Sequence, residues 1–129
     1  MLSSCKDAQK TMEETSLNSL SGTFELTRLP DVEIMDNAPY LNFDPSEGRV
    51  TGKTGCNSFF GMYSVEGKNL SFQDIASTEM ACEPAIMEIE NKFLNALWQS
   101  GRASLVNNEL TLYSKEDNSI LFIAKQKAE

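Results

Sequence analysis

Gly52-Lys53-Thr54-Gly55-Cys56-Asn57-Ser58-Phe59-Phe60-Gly61-Met62-Tyr63 gathers glycines, a cysteine and aromatic rings into one short run. Gly52, Gly55 and Gly61 at this density indicate tight turns, a bulge or close backbone approach within β structure. Phe59, Phe60 and Tyr63 are bulky anchors of the kind that organise a small core. Turn sequences bound the run on both sides. Pro45-Ser46-Glu47-Gly48 precedes it, with Pro pre-setting φ and Gly free to take a positive φ. Glu66-Gly67-Lys68-Asn69 follows it. The neighbourhood therefore reads as successive hairpins. Gly48-Arg49-Val50-Thr51-Gly52-Lys53-Thr54 imitates a phosphate loop, but only three residues separate its glycines where that motif needs four. No helix follows to present its N-terminus to a phosphate. The run reads as a hairpin strand, and no nucleotide is expected to bind.

Working outward, alternating apolar and polar residues mark half-buried strands. They are expected at 22–29, 40–44, 49–53, 60–65, 70–75, 103–106, 109–113 and 120–124. One helix is expected over 84–100. Pro84 suits its first turn, where a missing N–H costs nothing. Ile86, Ile89, Phe93 and Leu97 fall on one face, which Leu94 and Trp98 widen. Glu88 and Lys92 stand four apart as a surface pair, and Gly101 reads as the helix stop. Glu79, Glu83, Glu88 and Glu90 cluster around the helix start, where acidic groups suit the dipole. Short strands, hairpin-length connections and one late helix give an α+β, mostly β fold. The expected form is a strongly curved antiparallel sheet or cracked barrel of about eight strands, with the helix packed on the open side.

The chain has 129 residues, enough for one domain with one core. Its apolar fraction of 40% and mean hydropathy of -0.33 are those of a globular protein. A net charge of -8 argues against nucleic-acid binding, which needs a basic face. There is no histidine. That removes His general bases, His-activated nucleophiles and His-bearing metal sites, so no enzyme, metal or cofactor is expected.

At the N-terminus, Leu2-Ser3-Ser4-Cys5 resembles a bacterial lipobox, whose cysteine becomes a lipidated first residue. Met1 before it reads as a start residue standing where a signal sequence has been removed. From Lys6 to Ser19 the chain is polar, with Met12 and Leu17 as the apolar exceptions. Residues 1–19 are therefore expected to be an anchor remnant and flexible tether, and residues 20–129 the domain.

Cys56 and Cys82 allow several readings: a disulfide, a redox pair, a metal site or separate buried thiols. Neither lies in a Cys-x-x-Cys spacing, and two sulfurs without histidine make a poor zinc site. An oxidising compartment, as the lipobox implies, favours a bridge. Closing about 27 residues would contribute roughly 3 kcal/mol. Buried thiols remain the competing reading.

Two blocks together carry a family resemblance. Gly52, Gly55, Cys56, Asn57, Phe59, Gly61 and Tyr63 resemble the Gly-Cys-Asn block of the META, or HslJ-like, domain. Thr78, Met80, Ala81 and Cys82 resemble its Thr-x-Met-Ala-Cys block. The similarity runs from about residue 20 to 124, through the acidic-then-apolar helix and the closing strands. The family usually has Trp where this chain has Phe24, and Arg where it has Ser58 and Glu79. The resemblance implies a small bacterial envelope domain, often a lipoprotein of the outer membrane, linked to heat shock and envelope stress. It supplies no catalytic residue.

The expected role is non-enzymatic: the domain is held at the membrane by lipid on Cys5 and binds an envelope protein. The alternative is a carrier or pilotin-like module that holds an acyl chain or hydrophobic peptide in the barrel. Phe59, Phe60, Tyr63, Phe72, Phe93 and Trp98 are expected to fill the interior, leaving no deep pocket.

Overall fold

A computed structural model describes residues 14–34, 36 and 38–128. Eight strands form a closed antiparallel barrel in sequence order. They are β1 (Gly22–Arg28), β2 (Tyr40–Asp44), β3 (Arg49–Lys53), β4 (Ser58–Glu66), β5 (Asn69–Ser77), β6 (Ser100–Val106), β7 (Glu109–Ser114) and β8 (Ile120–Gln126). One helix, α1 (Pro84–Trp98), lies between β5 and β6. β1 closes the barrel against β8, with Phe24 opposite Gln126 and Leu26 opposite Ala124. Closure leaves neither terminal strand with an unpaired edge.

The wall is thinnest between β5 and β6. Their ladder consists of one residue pair, Asn69 with Arg102, and Ala103 N–H donates to Lys68 O at 2.9 Å. The Ser100 hydroxyl also donates to Leu70 O. The intervening helix packs against β5 and β8. Its buried face carries Ile89, Phe93, Ala96 and Leu97. Phe93 meets Phe59 of β4 edge-on at 5.5 Å and Phe122 of β8 at 5.8 Å. A second aromatic cluster joins Phe24, Phe43, Tyr63 and Phe72, with centroids 5.0 to 6.4 Å apart. With Leu41, Leu70, Leu110 and Leu112, all fully buried, these rings fill the interior.

Strand parity corrects the expected list of interior residues. On β4 the pattern alternates, so Phe59, Gly61 and Tyr63 are buried while Phe60 and Met62 are exposed. Phe60 is 58% exposed and Trp98 is 54% exposed, so neither contributes to the filling. Trp98 follows Leu97 directly, and one residue is about 100° around a helix. Trp98→Ala should therefore change stability by no more than about 0.5 kcal/mol, read by urea denaturation.

Three local expectations also change. α1 ends at Trp98, with Gln99 as its C-cap, and Gly101 lies inside β6. A Cβ at Gly101 would stand 2.7 Å from Lys115 Cα, so close strand approach explains this glycine. The first turn of α1 carries no acid, and Glu83 at the N-cap makes no side-chain capping bond. Among the described residues Glu88 and Lys92 form no ion pair; the pairs are Arg49–Glu47, Lys68–Glu14 and Lys127–Glu25.

The ordered body also begins earlier than residue 20. Thr15 N–H donates to Leu105 O at 2.7 Å. Ser16 caps a 3-10 turn at Leu17–Ser19 by accepting from Asn18 N–H. Leu17 is 3% exposed and belongs to the core. One apolar side chain in a polar stretch suffices to dock it when the core offers a place. The remaining part of the expected tether, including Cys5, lies outside the described residues.

Candidate functional site

The two motif blocks meet where the β3–β4 connection, the segment after β5 and α1 converge. Gly52 sets the approach: a Cβ there would stand 2.0 Å from Tyr40 O, so only glycine lets β2 and β3 pair at this register. Beyond Lys53, residues 54–57 fold into a turn, with Thr54 N–H donating to Asn57 O at 2.8 Å and Gly55 at a positive φ of 119°. Cys56 at the turn is joined to Cys82 by a disulfide, their Cα atoms 6.0 Å apart. That decides among the readings the sulfurs allow. Gly61 lies farther along β4, opposite the β5 bulge at Asp74.

Asn57 is the centre of the junction and is 1% exposed. Its Oδ1 accepts from Met80 N–H at 2.7 Å and from the Thr78 hydroxyl at 2.9 Å. Its Nδ2 donates to Met80 O at 3.1 Å and to Glu90 Oε1 and Oε2 at 2.9 and 3.1 Å. One amide therefore clamps the second block on one side and the helix on the other, with its donors and acceptors all engaged.

Glu90 is the residue that motif reading missed. It is 6% exposed. Its Oε1 also accepts from the Thr54 hydroxyl at 2.5 Å and from Asn57 N–H at 3.2 Å. Charged acceptors with several converging donors make strong hydrogen bonds. The signal was present in the sequence. Glu90 stands four residues after Ile86, three before Phe93 and seven before Leu97, on the apolar stripe itself. An acid at a core position needs partners, and Asn57 and Thr54 supply them.

The remaining motif residues divide between core and surface. Phe59 and Tyr63 are core residues. Burial, then the negative charge of Asp44, raise the Tyr63 phenol above its ordinary value of 10.0. The resulting stabilisation is complete below the unfolded phenol pKa and is lost as pH rises through the higher folded value. Met80 and Ala81 are exposed, so their block is held by its backbone and by Cys82. Among the described residues no buried side-chain nitrogen or oxygen lacks a partner. A junction whose buried side-chain polar atoms are all engaged within the protein has the character of a structural pin.

Surface depressions lie elsewhere. One of about 280 Å³ runs between Pro30 and Asp31, the helix residues Lys92, Asn95 and Gln99, and Ser119–Ile120. Another of about 440 Å³ borders the 114–118 turn and Arg102. Arg102 is engaged there, its guanidinium 3.9 Å above the Tyr113 ring. Exposed side chains border most of both depressions.

The barrel has counterparts among solved structures. It is similar to an NMR structure of a protein from Burkholderia xenovorans, with a TM-score of 0.70 and 24% identity over 88% of each chain. It is also similar to the crystal structure of a DUF4847 family protein from Bacteroides vulgatus. There the TM-score is 0.62 and the identity 15%, over 84% of this chain and 94% of that one. At these identities the likeness concerns the fold. No curated protein matches the chain. The META domain family matches residues 16–127, which include the Gly-Cys-Asn turn, the Met-Ala-Cys segment and the helix between β5 and β6. The chain belongs to the META domain family.

Proposed function

We propose that this META domain works without chemistry of its own, as a lipid-anchored domain of the bacterial outer membrane that serves envelope stress or maintenance by binding another protein.

 
The observation that carries this reading is where the motif's polar groups go. Asn57, Thr54 and Glu90 are buried and bonded to one another, and the interior is packed with aromatic and leucine side chains. Neither arrangement leaves a group aimed at a substrate, which supports a role for the outer faces. The anchor in this reading is lipid on Cys5, and the partner is an envelope protein engaged through a few exposed side chains. Heat-shock and envelope-stress duties follow from the same reading, because a tethered scaffold is suited to holding other envelope proteins.

The test begins with the anchor. Expressed with a lipoprotein signal sequence ahead of Leu2, the protein should partition with membranes and carry lipid on Cys5, as mass spectrometry of the intact chain would show. Cys5→Ala should release it to the soluble fraction. Membrane association unchanged by Cys5→Ala would sink the anchor. Titration with a long-chain fatty acid tests the packed interior. No saturable binding and no rise in Tm are expected, whereas stoichiometric binding with a matching rise would replace this reading with the carrier.

A further inference from the structure

The outer faces of β3, β4 and β5 form three parallel lanes of different chemistry. The β3 lane presents Arg49 and Lys53, both exposed. The β4 lane presents Phe60 and Met62, two of the five exposed large apolar side chains among the described residues. The β5 lane and its continuation present Asp74 and Glu79, both exposed. The ladder fixes how the lanes align. Arg49 is opposite Met62 and Lys53 opposite Ser58, while Met62 is opposite Gln73, beside Asp74. Thr78 N–H donates to Ser58 O at 3.0 Å, which brings Thr78 level with Lys53 across the β4 lane and sets Glu79 one residue beyond it. Neighbouring lanes are about 4.8 Å apart.

We infer that this face is the interface of a two-fold homodimer. A two-fold axis running along β4 exchanges the flanking lanes, so the β3 lane of one copy lies over the β5 lane of the other. Phe60 and Met62 then meet their own counterparts at the centre. Lys53 of each copy faces Glu79 of the other, and Arg49 faces Asp74. A stripe with cations on one side and anions on the other is self-complementary only under such an axis, and an isologous contact requires that property. The charges are available for it. Among the described residues Lys53, Asp74 and Glu79 make no ion pair, and Arg49 has only a 3.8 Å contact with the exposed Glu47. The inference rests on this face alone and is independent of the anchor on Cys5.

Sedimentation velocity on the full chain tests it, with Cys5→Ser present in every sample to prevent thiol crosslinking. The protein should dimerise with a sub-millimolar Kd. Phe60→Ser should leave it monomeric, and its unchanged Tm would show that the fold persists. Lys53→Glu and Glu79→Lys should each weaken self-association by about tenfold or more, since each change acts twice in a symmetric interface. Mixing these two variants in equal amounts should regain dimer, because the mixed pair restores opposite charges at both contacts. A parent that stays monomeric up to about 1 mM overturns the inference. So does a mixture no more associated than its components, or a Phe60→Ser variant that dimerises as well as the parent.

Discussion

Asn57→Ala should lower the stability of the folded domain by about 3–5 kcal/mol, measured by urea denaturation with the disulfide intact. Three losses combine. Glu90 Oε2 loses Nδ2, which donates to it at 3.1 Å, while Oε1 keeps the Thr54 hydroxyl and the backbone N–H of residue 57. Met80 N–H and Met80 O lose the amide that engages both. The Thr78 hydroxyl loses its 2.9 Å acceptor. Each neutral group left unpaired costs about 1–3 kcal/mol, and a buried carboxylate costs more. Water reaching the exposed Met80 segment offsets part of that sum, which keeps the total within the stated range. Thr78→Val removes one of these bonds together with the exposed 3.2 Å bond that the Thr78 hydroxyl accepts from Ser58 N–H, and should cost about 1–2 kcal/mol. An Asn57→Ala variant no less stable than Thr78→Val would show that the amide is not the centre of the junction.

The same junction shows how much the sequence made legible. The Gly-Cys-Asn run and its flanking turns identified the hairpins, and β2 and β3 have the expected limits. Strand ends were less legible. β4 begins at Ser58 and β5 runs on to Ser77, because the end of a strand depends on whether a neighbour continues the ladder. Parity along β4 was readable in principle. Phe59 and Tyr63 share a face by even spacing, and Phe60 falls on the other, but two adjacent aromatics both look like core by composition. Closure of β1 on β8 joins residues about one hundred positions apart, and local pattern does not encode that pairing. Leu17 was hidden for a related reason: its burial depends on β6 and the barrel wall, not on its polar neighbours. Glu90 was visible as an acid on an apolar stripe, yet its partners lie 33 and 36 residues away. Sequence can flag such a residue as needing partners before a structure identifies them.

Removing the Cys56–Cys82 bridge should cost roughly 3 kcal/mol and lower the Tm by about 10 °C, whether by reduction or in the Cys56→Ala, Cys82→Ala double variant. The bridge spans a sequence separation of 26 residues, so all of β4, all of β5 and the segment after β5 as far as Cys82 lie within its loop. In the chain-entropy argument, closing a loop of that length restricts the unfolded chain, and opening it returns that freedom. The folded state loses something as well. Side chains at 78–81 and 83 are exposed, so the segment carrying Met80 has little apolar burial to hold it. Cys82 and the Asn57 amide are its main attachments to the turn at 54–57. Losing either loosens the same segment, so the two losses overlap. Asn57→Ala combined with the double cysteine variant should therefore cost less than the sum of the two measured separately, by about 0.5–3 kcal/mol. Thermal and urea unfolding of the four proteins completes the cycle. Strict additivity would mean that sulfur bridge and amide clamp stabilise different parts of the barrel, and that the segment after β5 is held by contacts other than these.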